Sequence, residues 1–82
     1  MRNALTYPAE ITLKSIYYRR PETGFRIDCI LAQRGISATV TSRASRNEIF
    51  VSYTITAFFE SADHLEELCQ SLSSLDGFLM IL

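Results

Sequence analysis

The sequence predicts an α+β fold in which a four-stranded antiparallel sheet carries two helices on one face. Three observations predict it. Apolar residues recur at period two in long stretches, the period changes to three and four in two others, and turn residues stand where the period changes. With 82 residues the chain has room for one core, so residues 1–82 are read as a single domain.

Ala9 to Tyr17 alternates, with Ile11, Leu13 and Tyr17 on one side and Glu10, Thr12 and Lys14 on the other. That is a half-buried strand, and Pro8 precedes it where a missing N–H does not interrupt a ladder. Pro21 then suits the first turn of a helix, with Glu22 near its positive end. Ile27, Ile30, Leu31 and Arg34 follow at helical spacing, and Gly35 stands as the C-cap, so helix one is expected over Pro21 to Arg34. Gly24 weakens that helix by up to about 1 kcal/mol relative to alanine and suggests close approach to the sheet.

From Ile36 the period returns to two. Ile36, Ala38 and Val40 face one way and Ser37, Thr39, Thr41 and Arg43 the other, a pattern of small inward and polar outward residues that suits an edge strand. Ser42 to Glu48 reads as a connection in which Asn47 tolerates the turn. Ile49 to Phe59 is the strongest element: Ile49, Val51, Tyr53, Ile55, Ala57 and Phe59 alternate with Phe50, Ser52, Thr54, Thr56 and Phe58. It belongs in mid-sheet, paired antiparallel with Ile36 to Arg43.

Ser61 is positioned to cap a second helix, Asp63, Glu66 and Glu67 lie towards its positive end, and Leu65, Leu68, Cys69, Leu72 and Leu75 form its apolar stripe. Asp76-Gly77 gives a turn and Phe78 to Leu82 a short last strand. Strand, helix, strand, strand, helix, strand with right-handed crossovers is the ferredoxin-like βαββαβ plait, with strands one and three central. Both helices then cover one face and leave the other, threonine-rich face open.

Composition bounds the function. The hydrophobic fraction of 48% is too high for a disordered chain, and a formal charge of -1 gives no general attraction to nucleic acid. Charge is polarised along the chain. Residues 1–46 hold all eight basic groups and three acidic ones, and residues 47–82 hold six acidic groups, about +5 against -6. Helix two is therefore expected to be acidic and the flank of the second strand basic. Met1 to Pro8 has the form of neither a signal nor a transit peptide, and no stretch approaches the roughly 20 apolar residues of a membrane span, so a cytoplasmic location is expected. Cys29 and Cys69 fall in helical apolar periodicity without a CxxC pair and are read as reduced thiols.

Over nearly its whole length the chain resembles the small bacterial YbeD-like family of uncharacterised proteins. The resemblance rests on Ile49 through Thr56, on Ser61 followed by the leucine stripe, and on Leu75-Asp76 followed by an apolar tail. It implies a ferredoxin-like fold similar to ACT-type regulatory domains and a genomic association with lipoate metabolism, and it transfers no catalytic residue. The sequence departs from its relatives between Gly24 and Gly35, where helix one reads as shorter.

No residue set spells out catalysis. GxGxxG, GxxxxGK and GxSxG are absent, and Cys29 with the sole histidine, His64, lacks a third group to orient the imidazole. Carboxylates beside His64 are ordinary on a solvated helix, so no metal and no cofactor are expected. The reading is a noncatalytic regulatory or protein-interaction module that forms a homodimer or meets a protein partner. Its interface is expected among Phe50, Phe58, Thr39, Thr41, Thr54, Thr56 and Arg43, on the open face or the Ile36 to Arg43 edge. The alternatives are a sensor of a small anion bound by Arg19 and Arg20 at the start of helix one, and a weak RNA-binding domain. The RNA reading ranks lowest because no basic-aromatic run is present.

Overall fold

The computed structural model describes residues 6–82. Arg2 and the first residues of the Met1 to Pro8 segment lie outside that range. The order is β1 (Ala9–Tyr18), α1 (Thr23–Gln33), β2 (Ala38–Ala44), β3 (Phe50–Phe59), α2 (Ala62–Ser73) and β4 (Phe78–Ile81). The sheet order is β2-β3-β1-β4 with every pairing antiparallel, which is the expected plait.

Alternation places the core. Leu13 and Tyr17 of β1 and Val51, Tyr53, Ile55, Ala57 and Phe59 of β3 point beneath the helices. They meet Ile27 and Leu31 from α1 and Leu68 and Leu72 from α2, each at a helical spacing that keeps it on the inner face. The Tyr17 hydroxyl donates to the Leu72 carbonyl at 2.9 Å, so this buried phenol has its partner. Burial pushes the Tyr17 phenol above its ordinary pKa, with the neighbouring Ser15 hydroxyl opposing and Tyr53 adding to the shift. Ser15 itself is buried, and its hydroxyl makes no hydrogen bond of normal geometry.

Several local expectations shift. Helix one starts at Thr23, with Pro21 and Glu22 in the preceding turn, so no acidic side chain lies in its first turn. Gly24 packs on the Tyr53 ring, but a Cβ there would lie 3.5 Å from the Tyr53 hydroxyl, an ordinary contact, and the approach does not require glycine. Ile49 belongs to the connection and is 49% exposed, because the chain turns before β3 begins. In that connection the left-handed conformation falls on Glu48 (φ 61°), while the Asn47 Oδ1 accepts hydrogen bonds from the Ile49 N–H and the Ser45 hydroxyl. Gly35 (φ 67°) ends α1 as expected. Ser61 caps α2 by accepting from the His64 N–H at 3.1 Å. Both cysteines are free and half-buried.

Candidate functional site

Among the described residues nothing covers the face of the sheet away from the helices, and the register states which residues share it. On β1 it carries Glu10, Thr12, Lys14, Ile16 and Tyr18, directly opposite Phe58, Thr56, Thr54, Ser52 and Phe50 of β3. Thr39, Thr41 and Arg43 of β2 extend the Thr56, Thr54 and Ser52 rows. The middle of the face is thus a threonine field, in which Thr12 and Thr56 share a hydroxyl hydrogen bond of 2.9 Å.

The two aromatics expected to form one interface lie at opposite ends of this field. Phe50 and Phe58 are separated by about 27 Å at the usual strand rise. Phe58, opposite Glu10, is 66% exposed. Phe50 is half-buried against Tyr18, with ring centroids 5.3 Å apart.

Around Phe50 the face becomes apolar. Ile16, Phe50, Leu79 and Met80 line a shallow concavity of about 790 Å³, rimmed by Arg43, Arg46 and the small residues Ala44, Ser45 and Ser52. Leu79 and Met80 are both exposed, at 37% and 49%. The irregularity opposite Ile16/Tyr17 breaks the alternation of β4, so two consecutive apolar residues reach the surface. No carboxylate lines the concavity. The signal for Ile16 is the alternation of Glu10, Thr12 and Lys14, whose next outward position it occupies. Leu79 and Met80 have no such signal, because an all-apolar strand contains no polar residue to set its phase.

The polarised charge is partly cancelled by folding. Arg19 pairs with Glu48, Arg20 Nε with Asp76 at 3.0 Å, and Arg34 with Glu67 at 3.2 Å, each joining the basic half to the acidic half. Arg34 also donates to the Ser71 hydroxyl at 2.6 Å and so ties α1 to α2. Lys14, Arg26, Arg43 and Arg46 make no ion pair among the described residues. Arg19 and Arg20, the expected anion site, hold the β1–α1 connection to the two turns at that end of the sheet.

His64 sits edge-on to Phe59 with centroids 5.8 Å apart, and its Nδ1 is buried without a partner. Burial raises the Cys69 thiol pKa, and the charge of Glu66 adds to the shift. A thiol held neutral in this way is a poor nucleophile. Among the described residues, no three His, Cys, Asp or Glu side chains converge as metal ligands. Among the described residues, no helix is long and apolar enough to cross a membrane.

Residues 2–82 match the family described as protein of unknown function, DUF493. The chain belongs to the DUF493 family. The YbeD-like resemblance read from the sequence is in accord with that membership. Among solved structures, this DUF493 chain is similar to protein HP0495 from Helicobacter pylori, with a TM-score of 0.83 at 18% identity over 99% of this chain and 88% of that one. It is also similar to the ACT domain of a GTP pyrophosphokinase from Chlorobium tepidum, with a TM-score of 0.76 at 12% identity over 89% and 94% of the two chains. The small subunit of acetolactate synthase from Thermotoga maritima gives a TM-score of 0.75 at 13% identity over 90% of this chain and 46% of that one. At these identities the likeness is one of fold. Nothing among curated proteins matches the sequence.

Proposed function

We propose that this DUF493 protein is a noncatalytic interaction module, acting in the cytoplasm as one domain over residues 1–82, and that it self-associates through the β2 edge. The observation that carries the reading is an uncovered sheet whose outer strand is also uncovered. β2 contacts β3 on one side only, and Thr39 and Thr41 to Ala44 are exposed. The Ser45 N–H bonds the Phe50 carbonyl at 2.8 Å. The alternation of an antiparallel ladder then turns the N–H and C=O groups of Val40 and Ser42 away from β3. These are free donors and acceptors for another strand.

A two-fold axis at Thr41 would pair Val40 of one copy with Ser42 of the other and set Arg43 opposite Thr39. No like charges meet, and the two sheets become one of eight strands. A two-fold centred on the concavity would instead bring Arg43 and Arg46 towards their own copies, which disfavours the open face for a symmetric dimer. The free thiols support a reducing compartment. A second reading, a small anion at Arg19 and Arg20, draws support from the first turn of α1, which lacks a side-chain cap. An anion there must displace Glu48 and Asp76.

Light scattering over a concentration series tests the dimer. The wild type should shift from monomer to dimer, Ser42→Pro should abolish the shift by removing an outward N–H, and Thr54→Glu on the open face should leave it intact. A wild type that stays monomeric at the highest concentrations, or a dimer indifferent to Ser42→Pro and lost in Thr54→Glu, would move or remove the interface.

A further inference from the structure

We infer that the concavity on the open sheet face is a docking site for an acidic protein segment whose apolar side chains alternate with carboxylates. The inference rests on the interaction-module reading but names a second surface, which meets the β2 edge at Arg43 and Ala44, and a second partner.

The floor and the rim require different chemistries of the occupant. Ile16, Phe50, Leu79 and Met80 form an apolar floor, and two of them are substantially exposed in the free protein, so covering them releases water from apolar area. Arg43 and Arg46 stand on the rim with no ion-pair partner among the described residues, and Lys14 lies on the same face. Every other described arginine except Arg26 is held by a carboxylate of this chain. Two of the three described guanidiniums left over, Arg43 and Arg46, thus stand beside the exposed apolar floor, and no acidic group among the described residues pairs with them. A partner that matches brings carboxylates for the rim, where bidentate pairing is available to each guanidinium, and aliphatic or aromatic anchors for the floor. An extended segment with apolar and acidic residues in alternation presents both at once, because its side chains leave the backbone on opposite sides with period two.

Charge complementarity selects among occupants. A second copy centred here would oppose arginine with arginine. A single-stranded nucleic acid would answer the charge, but it stacks on open ring faces, and here Phe50 is half-buried against Tyr18 while the remaining floor is aliphatic. The floor favours protein side chains.

The test is a titration of the isotope-labelled protein, followed by backbone and arginine side-chain NMR signals, with a short peptide of alternating leucine and glutamate. Parallel titrations use a peptide of alternating leucine and lysine, and oligouridine. The acidic peptide should shift the signals of Ile16, Phe50, Leu79, Met80 and both rim arginines. Arg43→Glu combined with Arg46→Glu, both at exposed positions, should weaken binding by about ten-fold or more, as should Leu79→Ser. Equal or tighter binding of the lysine peptide, shifts that avoid the concavity, or binding of oligouridine alone would overturn the proposal. Light scattering on the same samples separates it from the edge dimer. A protein that dimerises but ignores the acidic peptide refutes only this site, and one that binds the peptide at the concavity while monomeric refutes only the edge.

Discussion

Ile55 and Thr54 are neighbours with opposite fates, because successive residues of a strand face opposite sides of the sheet. Ile55 is wholly buried beneath the helices, whereas Thr54 lies on the open face, half-covered by its neighbours. Ile55→Ala should cost about 2–5 kcal/mol, since a central-strand cavity collapses poorly, and Thr54→Ala less than about 1 kcal/mol. Urea unfolding of the two variants checks the assignment of faces, and equal losses would contradict it. Tyr17 makes a second prediction. Its folded pKa is raised by burial, so the folded state holds the phenolic proton after the unfolded chain has released it. The linked stability is complete below the unfolded tyrosine pKa of about 10 and is lost as pH rises through the higher folded value. The urea midpoint should therefore fall above about pH 10, and Tyr17→Phe should flatten that fall while losing about 1 kcal/mol at neutral pH with the bond to the Leu72 carbonyl. An alkaline decline unchanged in Tyr17→Phe would assign it elsewhere, first to Tyr53, which burial also shifts upward. At this scale the sequence was most legible: alternation alone sorted Ile55 from Thr54, but no pattern indicates which hydroxyl finds a partner.

Elements were legible in kind and order and less so at their ends. Helix one starts later than Pro21 suggests because a proline before a helix serves equally well in the turn that leads into it. Gly24, inside the first turn of α1, and Gly77, just before β4, separate two uses of the residue. Gly77 has φ 82° and its added Cβ would lie 3.2 Å from the Tyr18 carbonyl oxygen, whereas Gly24 has ordinary contacts. Gly77→Ala should destabilise by about 1–2 kcal/mol, and Gly24→Ala should stabilise by about 0.5 kcal/mol through lower entropy of the unfolded chain. Thermal melts of both variants give the comparison, and opposite signs are expected. A stabilising Gly77→Ala would show that the α2–β4 turn adapts. β4 shows the limit of element-scale reading, since its four apolar residues could face either way until pairing with β1 chose.

At the scale of the whole fold, the polarised charge of the sequence became three ion pairs across the halves among the described residues, with Arg26, Arg43 and Arg46 left unpaired there. The three pairs are largely exposed, so each contributes little and salt, which screens exposed charges readily, has little to remove. Stability at about 0.5 M salt should lie within about 1 kcal/mol of that in dilute buffer by urea unfolding. A larger loss would mean that these pairs act as a cooperative clasp on the connections. The sequence by itself determined the class of fold, the sheet order, the helix-covered face and the absence of any recognisable catalytic motif. Those follow from periodicity, capping and turn residues, which act over a few neighbours and are written in consecutive positions. Only the tertiary structure decided that Phe50 and Phe58 lie at opposite ends of the open face, that Ile16 joins Leu79 and Met80 beside Arg43 and Arg46, and that Arg19 and Arg20 are engaged by Glu48 and Asp76. Each of those depends on strand register and on side chains far apart in the chain, and register is a property of pairs of strands that no single segment contains.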